Sequence, residues 1–160
     1  MNLYLVQHAE AKSEAEDPER PLTDKRWQDV RKVADFLARQ AGLRVHQILH
    51  SGKTRAHQTA EVLAEQLKPS EGVQAVEGLE PLADPSIWAN RLAALEHDVL
   101  IVGHLPHLSK LTALLVCEDE NQEVVKFQIA GVVCLGQGAA GGWVVRWMVI
   151  PEILGEGDER

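Results

Sequence analysis

Short apolar runs recur along the chain and predict the strands of a buried sheet. The first run, Leu3–Val6, is rich in β-forming residues and leaves no room before it for a helical turn. Similar runs predict further strands at Val45–Leu49, Val73–Val76 and Val99–Val102. In the last part of the chain, glycine-rich turns separate three more predicted strands, at Glu123–Phe127, Gly131–Leu135 and Trp143–Ile150.

Apolar residues at helical spacing predict helices between these strands. The first is an amphipathic helix over residues 24–41, with Thr23 as its N-cap and Gly42 at its end. The same pattern predicts helices at Thr54–Leu67, Ile87–Leu95 and Leu105–Val116. The charged segment 9–22 and the segment Glu77–Pro85 are predicted to be loops.

The alternation of strand and helix predicts an α/β fold with three layers. A mainly parallel central sheet is expected between helices on both faces, with the last strands added at one edge as a C-terminal antiparallel hairpin. The length of 160 residues suits a single domain, expected over residues 1–155, followed by a polar tail at 156–160.

Composition narrows the function classes. The net charge of −8 argues against general nucleic-acid binding, which requires a basic surface. No apolar run approaches the roughly 18–20 residues of a membrane span, and no signal peptide precedes the first strand, so we expect a cytoplasmic protein without membrane contact. Cys117 and Cys134 have no metal-binding spacing and are expected to be reduced core residues.

Three predicted strands end in residues suited to phosphate chemistry. These are Gln7 and His8 after the first strand, Ser51–Arg55 after the second, and His104 after the strand Val99–Val102. The carboxyl ends of parallel strands share one edge of a sheet, so these segments should meet. One imidazole can then attack phosphorus, while arginine, a second protonated imidazole and a helix N-terminus neutralise the phosphoryl oxygens.

Four ordered motifs resemble the histidine phosphatase superfamily, whose fold is phosphoglycerate mutase-like, and within it the SixA-type phosphohistidine phosphatases. They are LVQHAEA at the start, ERPLT at 19–23, SGKTRAHQTAE at 51–61 and VGHLPHL at 102–108. The resemblance implies that His8 is a transiently phosphorylated nucleophile and that Arg55 grips the phosphoryl group. It also implies that His104 hydrogen-bonds a phosphoryl oxygen and that Arg20 is a further phosphate ligand. The family uses no metal and no organic cofactor.

The chain departs from the family at its opening motif. Gln7-His8-Ala9 stands where relatives have Arg-His-Gly. Glutamine can donate a hydrogen bond to the phosphoryl group but carries no charge. The loss of a charge-assisted contact in a closed pocket costs on the order of 2–4 kcal/mol of transition-state stabilisation, or about 30- to 1000-fold in rate.

The leaving group decides whether a general acid is needed. Glu80 is the best-placed acid for an ester substrate, whereas the P–N bond of phosphohistidine needs less help from an acid. Ser51 is expected to orient the turn before the second helix or to cap it.

The favoured substrate is phosphohistidine on a phosphotransfer or signalling protein, with inorganic phosphate as product. The alternatives are a small-molecule phosphomonoester phosphatase and a phospho-binding module in which Gln7 leaves little turnover.

Overall fold

One mixed sheet organises the computed structural model, which describes residues 1–9 and 22–155. The strands within these ranges are β1 (Asn2–Gln7), β2 (Gln47–His50), β3 (Val73–Ala75), β4 (Val99–Gly103), β5 (Val132–Gln137) and β6 (Trp143–Val149). Their order across the sheet is β3-β2-β4-β1-β5-β6. The neighbours among β1 to β4 pair in parallel, and β5 and β6 join antiparallel. The predicted parallel sheet with a C-terminal antiparallel hairpin is therefore confirmed.

Helices cover both faces of this sheet. The described α-helices are α1 (Asp24–Asp35), α2 (Thr54–Leu67), α3 (Pro85–Ala93) and α4 (His107–Cys117). Alternate residues of β1 explain the two faces: Tyr4 and Val6 pack into the core under α1 and α2, while Leu3 and Leu5 pack under α3 and α4. Each fully buried leucine contributes about 1.5–3 kcal/mol, so both layers are held by hydrophobic burial.

The helix ends follow local sequence signals. The Thr23 hydroxyl accepts a hydrogen bond from the Arg26 backbone N–H at 3.4 Å, which confirms the predicted N-cap of α1. A π-helical turn, Phe36–Gln40, continues α1, and Gly42 follows at a φ of 60° that favours glycine. The bounds of α2 match the prediction. In contrast, α3 starts at Pro85 because the Asp84 carboxylate caps the Ser86 N–H at 2.9 Å.

The predicted strand at Glu123–Phe127 is wrong. This segment has no strand pairing, and Phe127 is instead buried in the core under α3 and α4, with Val125 packed against that core. The apolar residues of the segment are thus satisfied by packing on a sheet face.

The sheet register brings the chemical residues to one edge. Gln7 lies opposite Gly103, and His50 lies opposite Val102. The residues that follow β1, β2 and β4 therefore emerge at the same level. None of the helices in residues 1–9 and 22–155 combines the length and apolarity that crossing a bilayer requires.

Candidate functional site

His8 continues the sheet by one residue and presents a defined tautomer. Its backbone N–H donates to the Gly103 carbonyl oxygen at 3.0 Å, which holds it beside the end of β4. Its ring Nδ1 lies 2.7 Å from the Ala9 carbonyl oxygen. A carbonyl oxygen only accepts, so Nδ1 carries the proton of the neutral ring and the lone pair lies on Nε2. A ring in this tautomer can act as a nitrogen nucleophile at Nε2.

His104 faces His8 across the edge of the sheet. The two ring centroids are 4.8 Å apart, with the planes inclined at 50°. His104 is almost fully buried, and its Nε2 lies 2.5 Å from the Ser51 hydroxyl. The same hydroxyl accepts a hydrogen bond from the Lys53 backbone N–H at 3.4 Å. Ser51 thus links the turn before α2 to the His104 ring, a connection that goes beyond the predicted turn-orienting role.

The environment of His104 keeps its ring neutral. Burial first, and then the nearby His8 and Arg55, lower the pKa of His104 to about 3. Lys53 and His107 act in the same direction. Protonation of this second imidazole beside a bound phosphoryl group stays a prediction. A neutral His104 can donate only one N–H.

Arg55 lies in the first turn of α2. Hydrogen bonds of the Thr59 side chain hold this turn beside the residue that follows His8. The Ala9 backbone N–H donates to the Thr59 hydroxyl at 3.1 Å, and that hydroxyl donates to the Arg55 carbonyl oxygen at 2.8 Å. Thr59 is fully buried. One side chain thus connects the residue after His8 to the helical turn that carries Arg55. The N-terminus of α2 also directs a positive dipole end toward this edge.

The other predicted site residues lie in different surroundings. Gln7 ends β1, and its side-chain oxygen is buried without a hydrogen-bond partner among the residues that the structure describes. The Glu80 carboxylate accepts a hydrogen bond from the Gly78 N–H at 3.0 Å and lies close enough to His107 to act on its charge. Arg20 is outside the described residues.

Residues near the site also include three that were not predicted to belong to it. Besides Thr59, Gln58 accepts a hydrogen bond from the Leu22 backbone N–H at 2.8 Å. Both lie about one turn after Arg55 on α2, a spacing that could have identified them. The third is His107 in the first turn of α4.

His107 is a fully buried imidazole close to His104. Within residues 1–9 and 22–155, neither of its ring nitrogens has a hydrogen-bond partner. Burial lowers the pKa of His107, outweighing the nearby carboxylates of Glu80 and Asp84, which raise it. The ring is neutral at pH 7. His107 lies at the start of a helix, where the sequence pattern does not distinguish a buried histidine from an exposed one.

Two known proteins match most of this chain in sequence. An uncharacterized protein of Picosynechococcus sp. is 36% identical over 148 residues, covering 88% of this chain and 87% of the relative. The phosphohistidine phosphatase SixA of Escherichia coli is 26% identical over 156 residues, covering 94% of each chain.

Solved structures share the fold. The protein histidine phosphatase SixA complexed with tungstate has a TM-score of 0.85 at 24% identity, covering 96% of this chain and 99% of that chain. The alpha-ribazole phosphatase of Shigella flexneri has a TM-score of 0.77 at 16% identity, with full coverage of both chains. The family model of the histidine phosphatase superfamily (branch 1) matches residues 3–82, which span β1 to the Glu80 loop. The chain therefore belongs to branch 1 of the histidine phosphatase superfamily, and it resembles the SixA-type members.

Proposed function

We propose that this phosphatase hydrolyses phosphohistidine on a protein substrate through a phosphohistidine intermediate on His8. The observation that carries the proposal is the pairing of His8 with His104 at a ring distance of 4.8 Å, with the His8 lone pair directed to Nε2 by the Nδ1 contact to Ala9. A nucleophilic imidazole beside a second imidazole and Arg55 is suited to an in-line attack on phosphorus.

The reaction has two balanced steps. The Nε2 lone pair of His8 attacks phosphorus, the P–N bond to the substrate imidazole breaks, and that imidazole leaves with the bonding electrons and takes up a proton. Water then attacks the phosphorus on His8, the second P–N bond breaks, and inorganic phosphate and a proton are released. The route uses side chains alone, without a metal or an organic cofactor.

The start of α2 supplies positive charge to the proposed site. Arg55 and the N-terminus of α2 stabilise the phosphoryl oxygens, and Gln7 supplies an amide donor where relatives have a charged arginine. His104 enters neutral and gives one hydrogen bond. A bound phosphoryl dianion raises the proton affinity of that ring, because an opposite charge favours the protonated form. Arg20 is proposed as a further ligand.

The test uses a protein carrying ³²P-labelled phosphohistidine. The enzyme should release labelled phosphate and show an acid-labile, base-stable label on itself during turnover. Both signals should disappear in His8→Ala and remain in the matched control His97→Ala. His97 is exposed and precedes β4, at the other end of the strands from His8. Turnover that survives in His8→Ala contradicts the proposed nucleophile. Tight binding without phosphate release, equal in both variants, would instead support the binding module.

A small-molecule phosphomonoester phosphatase is the second candidate. It is favoured by the position of Glu80, whose carboxylate lies on the His107 side of the site. An alkoxide leaving group needs a proton that an imidazole does not, so Glu80→Gln should abolish ester hydrolysis and spare phosphohistidine cleavage. The control is Glu61→Gln, which removes an exposed carboxylate on α2. Unchanged ester hydrolysis in Glu80→Gln would exclude Glu80 as the acid.

A further inference from the structure

The Ser51 hydroxyl lies between His104 and the start of α2. Its Oγ is 2.5 Å from Nε2 of His104, and it accepts a hydrogen bond from the Lys53 backbone N–H at 3.4 Å. Ser51 directly follows β2, and His104 directly follows β4. The hydroxyl is therefore held at the edge of the sheet where the proposed reaction takes place.

The surroundings of the His104 ring indicate which of its nitrogens carries a proton. The pKa of His104 is lowered to about 3, first by burial, so the ring of the free protein is neutral and has one N–H. Nδ1 is buried and has no hydrogen-bond partner within the residues that the structure describes. A buried N–H without an acceptor is rarer in proteins than a buried acceptor without a donor. The proton therefore lies on Nε2, and this N–H donates a hydrogen bond to the Ser51 oxygen.

The Ser51 hydroxyl keeps its own proton for a third partner. A serine hydroxyl has two acceptor lone pairs and one O–H. The N–H groups of His104 and Lys53 occupy the two lone pairs, and neither group can accept the hydroxyl proton. Two donors on one oxygen polarise its O–H and strengthen it as a donor. Ser51 is only partly buried, so a ligand can reach this O–H.

We infer that Ser51 is a further catalytic residue: its hydroxyl donates a hydrogen bond to a phosphoryl oxygen, and His104 acts on that oxygen through Ser51. The inference rests on the proposed function and adds a donor to its site. Such a hydrogen bond strengthens as negative charge develops on the oxygen in the transition state. The same geometry argues against Ser51 as a nucleophile, because a protonated Nε2 cannot take up the serine proton.

A double-mutant cycle tests whether the two side chains act in series. The variants are Ser51→Ala, His104→Ala and the double substitution, and the probe is phosphoramidate, a small compound with a P–N bond. Ser51→Ala should lower kcat about 100-fold, as expected for the loss of one donor to the transition state. The double variant should match Ser51→Ala within about three-fold, because the effect of His104 passes through the serine. Two independent donors with losses of this size would instead multiply to about 10,000-fold.

Two companion variants separate the hydroxyl from a general effect of substitution. Ser51→Thr keeps a hydroxyl and should recover most of the rate. The matched control is Ser70→Ala, which removes a hydroxyl that also contacts a histidine, Nδ1 of His46 at 3.2 Å, before β2 at the other end of the strand. This control should keep the full rate.

The tautomer is measured without any substitution. ¹⁵N NMR of the free, unaltered protein should place the His104 proton on Nε2, and the Nε2–H signal should shift in Ser51→Ala and stay in Ser70→Ala. A proton on Nδ1 would overturn the inference, because Ser51 would then donate its hydroxyl proton to the ring. A multiplicative loss in the double variant, or an unchanged kcat in Ser51→Ala, would also overturn it.

Binding of orthovanadate distinguishes failure of this inference from failure of the proposed function. Ser51→Ala should weaken orthovanadate binding in calorimetry about ten-fold or more, since a hydrogen bond to a charged group is lost. An unaltered protein that hydrolyses neither phosphoramidate nor a phosphohistidine protein would overturn the proposed function. Weaker orthovanadate binding in Ser51→Ala would then still support the contact between Ser51 and a tetrahedral oxyanion, and equal binding would overturn that contact as well.

Discussion

Acidification from pH 7 to pH 5 should destabilise this fold, and His104 should account for a defined part of the loss. The pKa of His104 is lowered to about 3 by burial and by its neighbours His8, Arg55, Lys53 and His107. A histidine in an unfolded chain has a pKa of about 6.5. Between these two values the unfolded chain binds more protons than the folded one, so the free energy of unfolding falls as the pH falls.

The size of the effect follows from the two pKa values. A histidine that stays neutral in the fold while the unfolded chain becomes protonated loses about 2 kcal/mol of stability between pH 7 and pH 5. The expected contribution of His104 is therefore about 1–2 kcal/mol. Burial lowers the pKa of His50 and His107 as well, and both add to the total in the same direction.

The assay isolates His104 by comparison. Urea unfolding at pH 7 and pH 5 is measured for the unaltered protein and for His104→Gln, a variant that retains a polar group beside Ser51. The variant should lose about 1–2 kcal/mol less than the unaltered protein over this interval. His97→Gln, which alters an exposed histidine, serves as the control. Parallel pH profiles for the unaltered protein and His104→Gln would refute the reasoning.

Three further changes test separate contacts. Gln7→Arg should raise the rate of phosphohistidine hydrolysis by about 30- to 1000-fold, since it restores a positively charged side chain that contacts the phosphoryl group. An unchanged single-turnover rate would show that another residue compensates. Thr59→Val should cost about 1–3 kcal/mol in urea unfolding because it leaves the buried Ala9 N–H without its acceptor, and a loss below that range would mean the N–H finds another partner. His107→Leu should leave the melting temperature unchanged or higher, because it removes two buried ring nitrogens that lack partners among the described residues; a clear drop would reveal a hydrogen bond to this ring.

Local patterns predicted the elements that carry the site. The runs Leu3–Val6 and Val99–Val102 are strongly apolar because both faces of their strands are covered. The helix α2 was predicted from the spacing of its apolar residues, and it ends shortly before Pro69. Parallel pairing then places the residues after these strands at one edge. His8, Arg55 and His104 could therefore be grouped from the sequence, and the structure brings them together.

Features that depend on more than one segment could not be predicted in this way. The segment Glu123–Phe127 has a strand-like pattern, yet its apolar residues pack on a sheet face, in the core under α3 and α4. The sequence predicts Thr59 only as a helix residue, because its hydrogen bond with Ala9 forms only in the folded structure. Both outcomes depend on which surfaces and groups remain available after the sheet has formed.

The sequence by itself determined which chemical groups reach the edge of the sheet, because strand periodicity and strand ends are local properties of the chain. Only the tertiary structure decided the pKa of His104. The lowered pKa of His104 results first from burial and then from neighbours on other segments, His8 and Arg55 among them. Desolvation and Coulomb interactions depend on distances between residues far apart in the chain, so composition and spacing do not contain them.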